Sequence, residues 1–174
     1  ITYRGNLARL METLLNEGKF EKAENVADLA MEKMPVDKFG FYTLLEPYIS
    51  AYYEIGNTEK GRKLYKEVTE KYQDNLMYLS SLSLENQERM IEDIYTDIQR
   101  YRALVDVLVV YNDKDYALEE TKKFNSYLSL FDRLLGQSIE EETPEIPENL
   151  DLENLNEDSS SLISPGDELE ILEE

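Results

Sequence analysis

Carboxylates are the most abundant side chains in this sequence that could do chemistry, and three of them lie close together at Glu92, Asp93 and Asp97. On a helix, Asp93 and Asp97 stand at positions i and i+4 and so share one face. Paired acids can hold a di-metal centre or hydrolyse a glycosidic bond. A metal site in a helical bundle also needs a Glu-x-x-His motif, and the sequence has no His. We therefore predict that these acids form a solvated, ion-paired helix face.

Other kinds of active site are limited by residue types that the sequence lacks. It contains no Cys and no His, which excludes thiol nucleophiles, imidazole bases, disulfides and the usual zinc sites. It also has no Gly-rich phosphate loop, nucleophile elbow or EF-hand spacing. We predict that the chain is not an enzyme, and that it has no catalytic, cofactor-binding or metal-binding residues and needs no cofactor.

The charge is distributed unevenly along the 174 residues, whose net charge is −20. Of the 38 acidic residues, 14 lie in residues 139–174, which hold no Lys or Arg, and the other 24 accompany all 18 bases. This predicts a helical domain at residues 1–138 and an acidic, flexible tail at residues 139–174. Leu and Ile recur among the acids of the tail, so an interaction segment remains an alternative to a solvated tail. Without clustered Lys and Arg, we predict no nucleic-acid binding and no direct lipid binding.

The apolar residues recur at spacings of three and four, and only seven Gly and five Pro interrupt them. This pattern predicts an all-α domain of about six helices. The predicted helices span residues 3–17, 19–33, about 43–54, a stretch after Gly56, 84–111 and 116–135, with a connector at 36–43 and a loop at 73–83. The third of these helices begins at Phe41 or Thr43.

The helices at either side of Gly18 carry a recognisable arrangement of small and apolar residues. The residues concerned are Gly18, Phe20, Ala23, Ala27, Ala30 and Pro35, preceded by Leu7, Leu10 and Leu14. Their spacing resembles the tetratricopeptide repeat, and an ordinary helical hairpin is the alternative. Gly56 begins a weaker second copy, 38 residues later, in which Gly61 replaces the first Ala. The third helix pair lacks the small-residue pattern and is predicted to be a capping unit.

The resemblance implies a short, irregular array of antiparallel helix hairpins with a right-handed superhelical arrangement. In this family, partners usually bind along the inner face that the first helix of each pair forms. The side chains predicted to line such a groove here are Glu12, Asn16, Glu46, Ser50, Tyr53 and Glu54. These side chains are acidic or aromatic rather than basic, so a clamp for a C-terminal carboxylate is not predicted. We expect a protein or peptide partner that is neutral, aromatic or basic.

A wider stretch, about residues 3–135, includes NLARLMETLLNEGKFEKAENVADL and SLENQERMIEDIYTDIQRYRALVDVL. It resembles the soluble C-terminal region of a bacterial multi-spanning membrane protein family similar to protein O-mannosyltransferases. The resemblance implies a non-catalytic interaction or scaffold domain attached to a membrane-embedded, glycosyltransferase-like protein. It also implies a place in the cell envelope, at the inner membrane and facing the periplasm, with the cytoplasm as the alternative. A structural end-cap without a ligand of its own is the alternative function.

Overall fold

The structure, a computed structural model, describes residues 2–40 and 42–135. Six α-helices of ten or more residues occur there, and no strand is found in these two ranges, which confirms the all-α prediction and its helix number. The predicted acidic tail, residues 139–174, lies outside the described residues. In chain order the helices are α1 (Thr2–Asn16), α2 (Phe20–Lys33), α3 (Val36–Phe39), α4 (Glu46–Ile55), α5 (Thr58–Ser80), α6 (Leu84–Arg89), α7 (Ile91–Val110), α8 (Lys114–Leu128) and α9 (Asp132–Leu135), with 3₁₀ turns at Tyr42–Leu44 and Ser129–Phe131.

The six longer helices pack in pairs. Helices α1 and α2 form hairpin 1, α4 and α5 form hairpin 2, and α7 and α8 form hairpin 3. The hairpins stack in chain order, because α4 contacts both helices of hairpin 1 and α7 contacts both helices of hairpin 2. Each hairpin therefore covers the first helix of the next one.

The same turn joins the two helices of every hairpin. Its central residue is Gly18, Gly56 or Asn112, with φ of 68°, 88° and 59° respectively. In each turn this residue's N–H donates to the carbonyl three residues earlier, and the next N–H donates to the carbonyl five residues before it, over 2.8–3.0 Å. This is a Schellman turn, which needs a left-handed residue after the helix. The third pair, which was predicted to lack the small-residue pattern, therefore shares the turn of the other two, because Asn takes the position of Gly.

Small residues follow each turn where the two helices approach most closely. Ala23, Gly61 and Ala117 stand five positions after the turn residue, and all three are buried. The three alanines of α2, Ala23, Ala27 and Ala30, have no exposed surface, as their spacing predicts. At Gly61 a Cβ atom would lie 2.8 Å from Cε2 of the Tyr53 ring. Hairpin 2 therefore combines a large aromatic side chain with the smallest possible neighbour.

Aromatic side chains fill the space between hairpins 2 and 3. The rings of Tyr42 and Tyr72 meet edge to face at 4.8 Å, and Tyr72 lies 6.4 Å from Tyr101 in a stacked arrangement. Tyr101 in turn meets Phe124 edge to face at 5.2 Å. Tyr72 and Tyr101 are at most 2% exposed, and burial raises the pKa of both phenols. This chain of rings joins α5, α7 and α8 into one core.

The predicted loop at residues 73–83 is wrong over most of its length, because α5 continues to Ser80. Two polar side chains of this stretch are used inside the fold. The Gln73 amide donates to the Tyr101 hydroxyl at 2.7 Å, and the Asn75 amide donates to the Asp97 carboxylate at 2.5 Å. These bonds tie the second half of α5 to α7, so residues that look solvated in sequence stabilise a helix packing.

The predicted helix at residues 84–111 is interrupted once. Met90 leaves the helical conformation, with φ −106° and ψ 17°, and separates α6 from α7. The buried Gln87 amide donates to the carbonyls of Ser80 and Leu82, at 2.9 and 3.0 Å. Helix α6 is therefore held against the end of α5 rather than continuing the line of α7. The last predicted helix, residues 116–135, also begins earlier, at Lys114, and is broken by the 3₁₀ turn at Ser129–Phe131.

Candidate partner-binding face

The first helices of the three hairpins lie side by side, with α4 between α1 and α7. On each of these helices, three positions lie ten, six and two residues before the turn residue. They are spaced by four residues and therefore line one face of the helix. We call the resulting surface the first-helix face. Its positions are Ala8, Glu12 and Asn16 on α1, Glu46, Ser50 and Glu54 on α4, and Arg102, Asp106 and Val110 on α7.

This face is acidic and, apart from the buried Ala8, open to solvent. Glu12, Asn16, Glu46 and Glu54 are exposed, as their predicted role requires, and Ser50 is half-buried. On α7 the face continues with one base and one further acid. In the part of the chain that the structure describes, no ion pair engages the three glutamates. Their charges are therefore available to a cationic ligand.

Tyr53 does not lie on this face, so that part of the groove prediction has to be corrected. It stands three residues before the turn, points between the helices and is only 7% exposed. Its hydroxyl donates to Asp113 Oδ2 at 2.8 Å, and its ring stacks on Tyr111 with a centroid distance of 5.6 Å. Burial, together with Asp113, raises the pKa of Tyr53. Its role is to join hairpin 2 to the turn of hairpin 3.

Each glutamate of the first-helix face acts electrostatically on a tyrosine of a neighbouring helix. Burial raises the pKa of each of these phenols, that of Tyr48 to about 12, and the glutamate raises it further. Tyr48 and Tyr72 are buried, so only Tyr111, which is half-buried beside Glu54, leaves a ring that a Lys or Arg side chain of a ligand can also reach. The pairs are Glu12 with Tyr48, Glu46 with Tyr72 and Glu54 with Tyr111.

A second polar cluster lies on the other side of the array and joins hairpin 1 to hairpin 2. Lys60 Nζ lies 2.8 Å from Glu24 Oε1 and 2.6 Å from Asp28 Oδ2. The Tyr52 hydroxyl donates to Asp28 at 2.8 Å, and the Asn57 amide donates to Glu24 at 2.8 Å. The cluster borders a cavity of about 380 Å³. Because one ammonium and two hydrogen-bond donors within the cluster satisfy the two carboxylates, the geometry indicates a structural link. Glu24 and Asp28, at positions i and i+4, are the signal in the sequence.

An equivalent cluster joins hairpin 2 to hairpin 3. The Arg62 guanidinium donates two hydrogen bonds to Asp113, one of them from Nε to Oδ2 at 2.8 Å. The guanidinium also lies 4.9 Å from the centroid of the Tyr116 ring. The bonds from Arg62 hold the pKa of Asp113 below its usual range. In both junctions, the residue six positions after one turn contacts the residue that follows the next turn.

Two buried carboxylates lie apart from the first-helix face. Asp97 is only 8% exposed, so the prediction of a solvated face is wrong for this residue, and burial raises its pKa although Asn75 donates to it. Glu120 is 4% exposed, and burial raises its pKa against the opposing effects of Lys123 and Tyr65. Residues 2–40 and 42–135 contain no group of three or more His, Cys, Asp or Glu that could hold a metal ion.

Comparison of the chain with protein-family models, with curated proteins and with solved structures finds no match in any of the three. In the same described ranges, none of the helices combines the length and the apolar character needed to cross a bilayer. The resemblances to the tetratricopeptide repeat and to the membrane protein family therefore remain predictions from the sequence.

Proposed function

We propose that residues 1–138 form a non-catalytic protein-interaction domain that binds a basic segment of a protein or peptide along the first-helix face. The observation that carries the proposal is the row of exposed glutamates, Glu12, Glu46 and Glu54, without ion-pair partners among the described residues. Charges left unpaired on a folded surface attract opposite charges without first breaking internal contacts.

The chemistry of the face narrows the class of ligand. A Lys or Arg side chain can bond each exposed carboxylate and, at Glu54, can also approach the half-buried ring of Tyr111. Aromatic ligand residues can pack on Val110, which is 77% exposed. An acidic ligand, such as a phosphate backbone, would be repelled by four acids and attracted by only one base. The proposal is therefore restricted to a protein or peptide partner and does not extend to nucleic acid or anionic lipid.

We further propose that the domain is the appendage of a membrane-embedded, glycosyltransferase-like protein, on the strength of the resemblance of residues 3–135. In that setting it holds a partner or an acceptor substrate beside the membrane. The proposed location is the cell envelope, at the inner membrane and facing the periplasm, and the cytoplasm is the alternative.

The proposal is tested by fluorescence polarisation with a labelled peptide that contains Lys, Arg and Tyr. Reversing Glu46 and Glu54 to Lys removes two attractions and adds two repulsions, each worth about 0.4 kcal/mol at an exposed site. We expect the double variant to bind about tenfold more weakly, since about 1.4 kcal/mol corresponds to tenfold. The difference between the two proteins should shrink at high salt.

A matched control reverses two exposed glutamates elsewhere, Glu70 on α5 and Glu88 on α6, and leaves the net charge equal to that of the first variant. This control should keep most of the affinity. Equal loss in both double variants would mean that the peptide responds only to net charge. No binding by any of the proteins would leave the structural end-cap as the better function for this domain.

A further inference from the structure

Hairpin 1 carries an apolar surface that no other hairpin in residues 2–40 and 42–135 covers. In hairpins 2 and 3, three positions of the first helix face the preceding hairpin. They lie eleven, eight and four residues before the turn residue. In hairpins 2 and 3 these positions are 0–3% exposed. They are Leu45, Tyr48 and Tyr52 on α4 and Tyr101, Leu104 and Leu108 on α7.

Specific contacts show that the preceding hairpin covers these positions. The Tyr48 hydroxyl donates to the Arg4 carbonyl at 2.6 Å, and the Tyr52 hydroxyl donates to Asp28 at 2.8 Å, both across the junction of hairpins 1 and 2. Across the next junction, Tyr101 accepts a hydrogen bond from Gln73. The fold itself therefore indicates what packs on these three positions, which is a pair of antiparallel helices.

In hairpin 1 the same positions are Leu7, Leu10 and Leu14, and no part of the described chain covers them fully. Leu10 is 48% exposed, while Leu7 and Leu14 are half-buried. On the same side of α2, Leu29 is 44% exposed, and Val26 is half-buried. We call these five residues the leucine face. Exposed apolar side chains that cluster in this way mark contact sites between proteins.

Lys22 adds a charge to the edge of the leucine face. It stands four positions after its turn residue, where hairpin 2 has Lys60. Lys60 bonds Glu24 and Asp28 of the preceding hairpin, and in hairpin 3 the same position, Tyr116, contacts Arg62. The position thus contacts a charged side chain of the covering hairpin at both junctions.

We infer that the leucine face is a docking site for a helical hairpin of a partner protein, apolar at its centre and carrying carboxylates opposite Lys22. Unlike Tyr48 and Tyr52, the leucines offer no hydroxyl, so the partner's central surface needs no hydrogen-bond acceptor. This site is separate from the first-helix face and extends the proposed function to a second contact.

The opposite end of the array makes head-to-tail stacking of two copies unfavourable. The positions of α2 and α5 that cover the next hairpin correspond on α8 to Leu118, Lys122 and Asn125, and all three are exposed. Stacking a second copy in the array register would bury the two polar side chains against leucines, at the cost of their desolvation. A partner with a hairpin of different sequence avoids this cost.

A tandem fusion tests the inference with the protein's own hairpin as the probe. A second copy of residues 1–45, hairpin 1 with its whole connector, is placed directly before Ile1 of the full chain. The covering side of this copy carries Glu24 and Asp28, as the inference requires. We expect a single urea transition at a higher midpoint than that of the unfused protein, because the leucine face becomes buried.

A Leu10→Lys substitution in the original copy of hairpin 1 then shows whether the fused copy covers the leucine face. We expect a midpoint loss of about 1 M urea in the fusion and a much smaller loss in the unfused protein, where the Lys stays in water. Lys22→Glu should also lower the midpoint of the fusion only. The matched control, Leu118→Lys on α8, changes a leucine that is 50% exposed and should shift both proteins equally.

Two results would overturn the inference. One is a fused copy that unfolds in a separate transition, with Leu10→Lys acting equally in both proteins. The other is self-association of the unfused protein that Leu10→Lys abolishes, measured by sedimentation equilibrium, because a second copy would then be the occupant. Both results are independent of peptide binding at the first-helix face, so this inference and the proposed function can fail separately.

Discussion

Replacing Gly61 by Ala tests the packing inside hairpin 2 most directly. An added Cβ would lie 2.8 Å from Cε2 and 2.9 Å from Cδ2 of Tyr53, closer than carbon atoms approach without a shift. The ring cannot move freely, because it stacks on Tyr111 and its hydroxyl bonds Asp113. Overpacking of this kind costs about 2 kcal/mol. The gain in helix propensity from Gly to Ala offsets about 1 kcal/mol of that cost.

We therefore expect Gly61→Ala to lower the free energy of unfolding by about 1 kcal/mol, measured by urea denaturation at constant slope. The same substitution at Gly5 is the control. That residue also lies in a helix, and its added Cβ would meet nothing within 4 Å. Gly5→Ala should therefore stabilise the domain by up to about 1 kcal/mol. The two variants make the same chemical change and are expected to have opposite signs.

A double-mutant cycle identifies Tyr53 as the cause. Tyr53→Leu gives hairpin 2 the residue that hairpin 1 has at this position, Leu15, opposite Ala23. Tyr53→Leu alone should destabilise the domain, because it removes the ring stacking and the bond to Asp113. In that background, Gly61→Ala should become neutral or stabilising, with a coupling energy of about 2 kcal/mol. Equal effects of Gly61→Ala in both backgrounds would refute the packing argument.

Two further predictions concern the third hairpin. Asn112→Ala should lower the free energy of unfolding by about 1 kcal/mol, because Ala disfavours the left-handed conformation that residue 112 adopts at φ 59°. Asn112→Gly should be tolerated, since Gly adopts this conformation readily. Equal denaturation midpoints for the two variants would contradict the prediction. Glu120→Gln should gain stability relative to the native protein as the pH rises above about 4.5, since burial raises the folded-state pKa of Glu120 and stability is lost as it ionises. Unfolding curves at several pH values measure this difference, and a difference independent of pH would disprove it.

The turns and small residues were the most predictable part of the fold because local geometry determines them. Gly18 and Gly56 are needed where the chain takes positive φ, and Ala23 and Ala27 where two helices meet. The break between the predicted helices 84–111 and 116–135 was placed correctly, but its likeness to the other two turns was missed, because Asn112 adopts the same conformation without the glycine that marks it. Ala117, five positions later, was the available signal.

The errors in helix bounds have a different cause, since contacts distant in sequence decide them. Gln73 and Asn75 have modest helix propensity and suggest a loop, yet each bonds a side chain of α7 that lies more than 20 residues away. Met90 interrupts an apolar pattern that continues through it, because Gln87 holds α6 to the carbonyls at the end of α5. Neither contact can be derived from spacing alone.

The candidate face shows the same division between local and distant causes. The spacing of Glu12, Glu46 and Glu54 was sufficient to place them on exposed helix positions. Tyr53 is adjacent to Glu54, and a rotation of about 100° per residue carries it into the core. Its partner Asp113 lies 60 residues away, so only the packing of hairpin 3 on hairpin 2 shows its role.

The two junctions use different chemistry at the same positions, and this difference can specify the order of the hairpins. Between hairpins 1 and 2 a lysine, Lys60, bonds two carboxylates, whereas between hairpins 2 and 3 Arg62 contacts Asp113 and the ring of Tyr116. Hairpin 3 stacked on hairpin 1 would place Asp113 near Glu24, which is repulsive. Hairpin 2 stacked on a second hairpin 2 would place Lys60 near Arg62, with the same consequence. Such mismatches disfavour wrong stacking orders, and Lys22 gives the leucine face of hairpin 1 the same kind of selectivity.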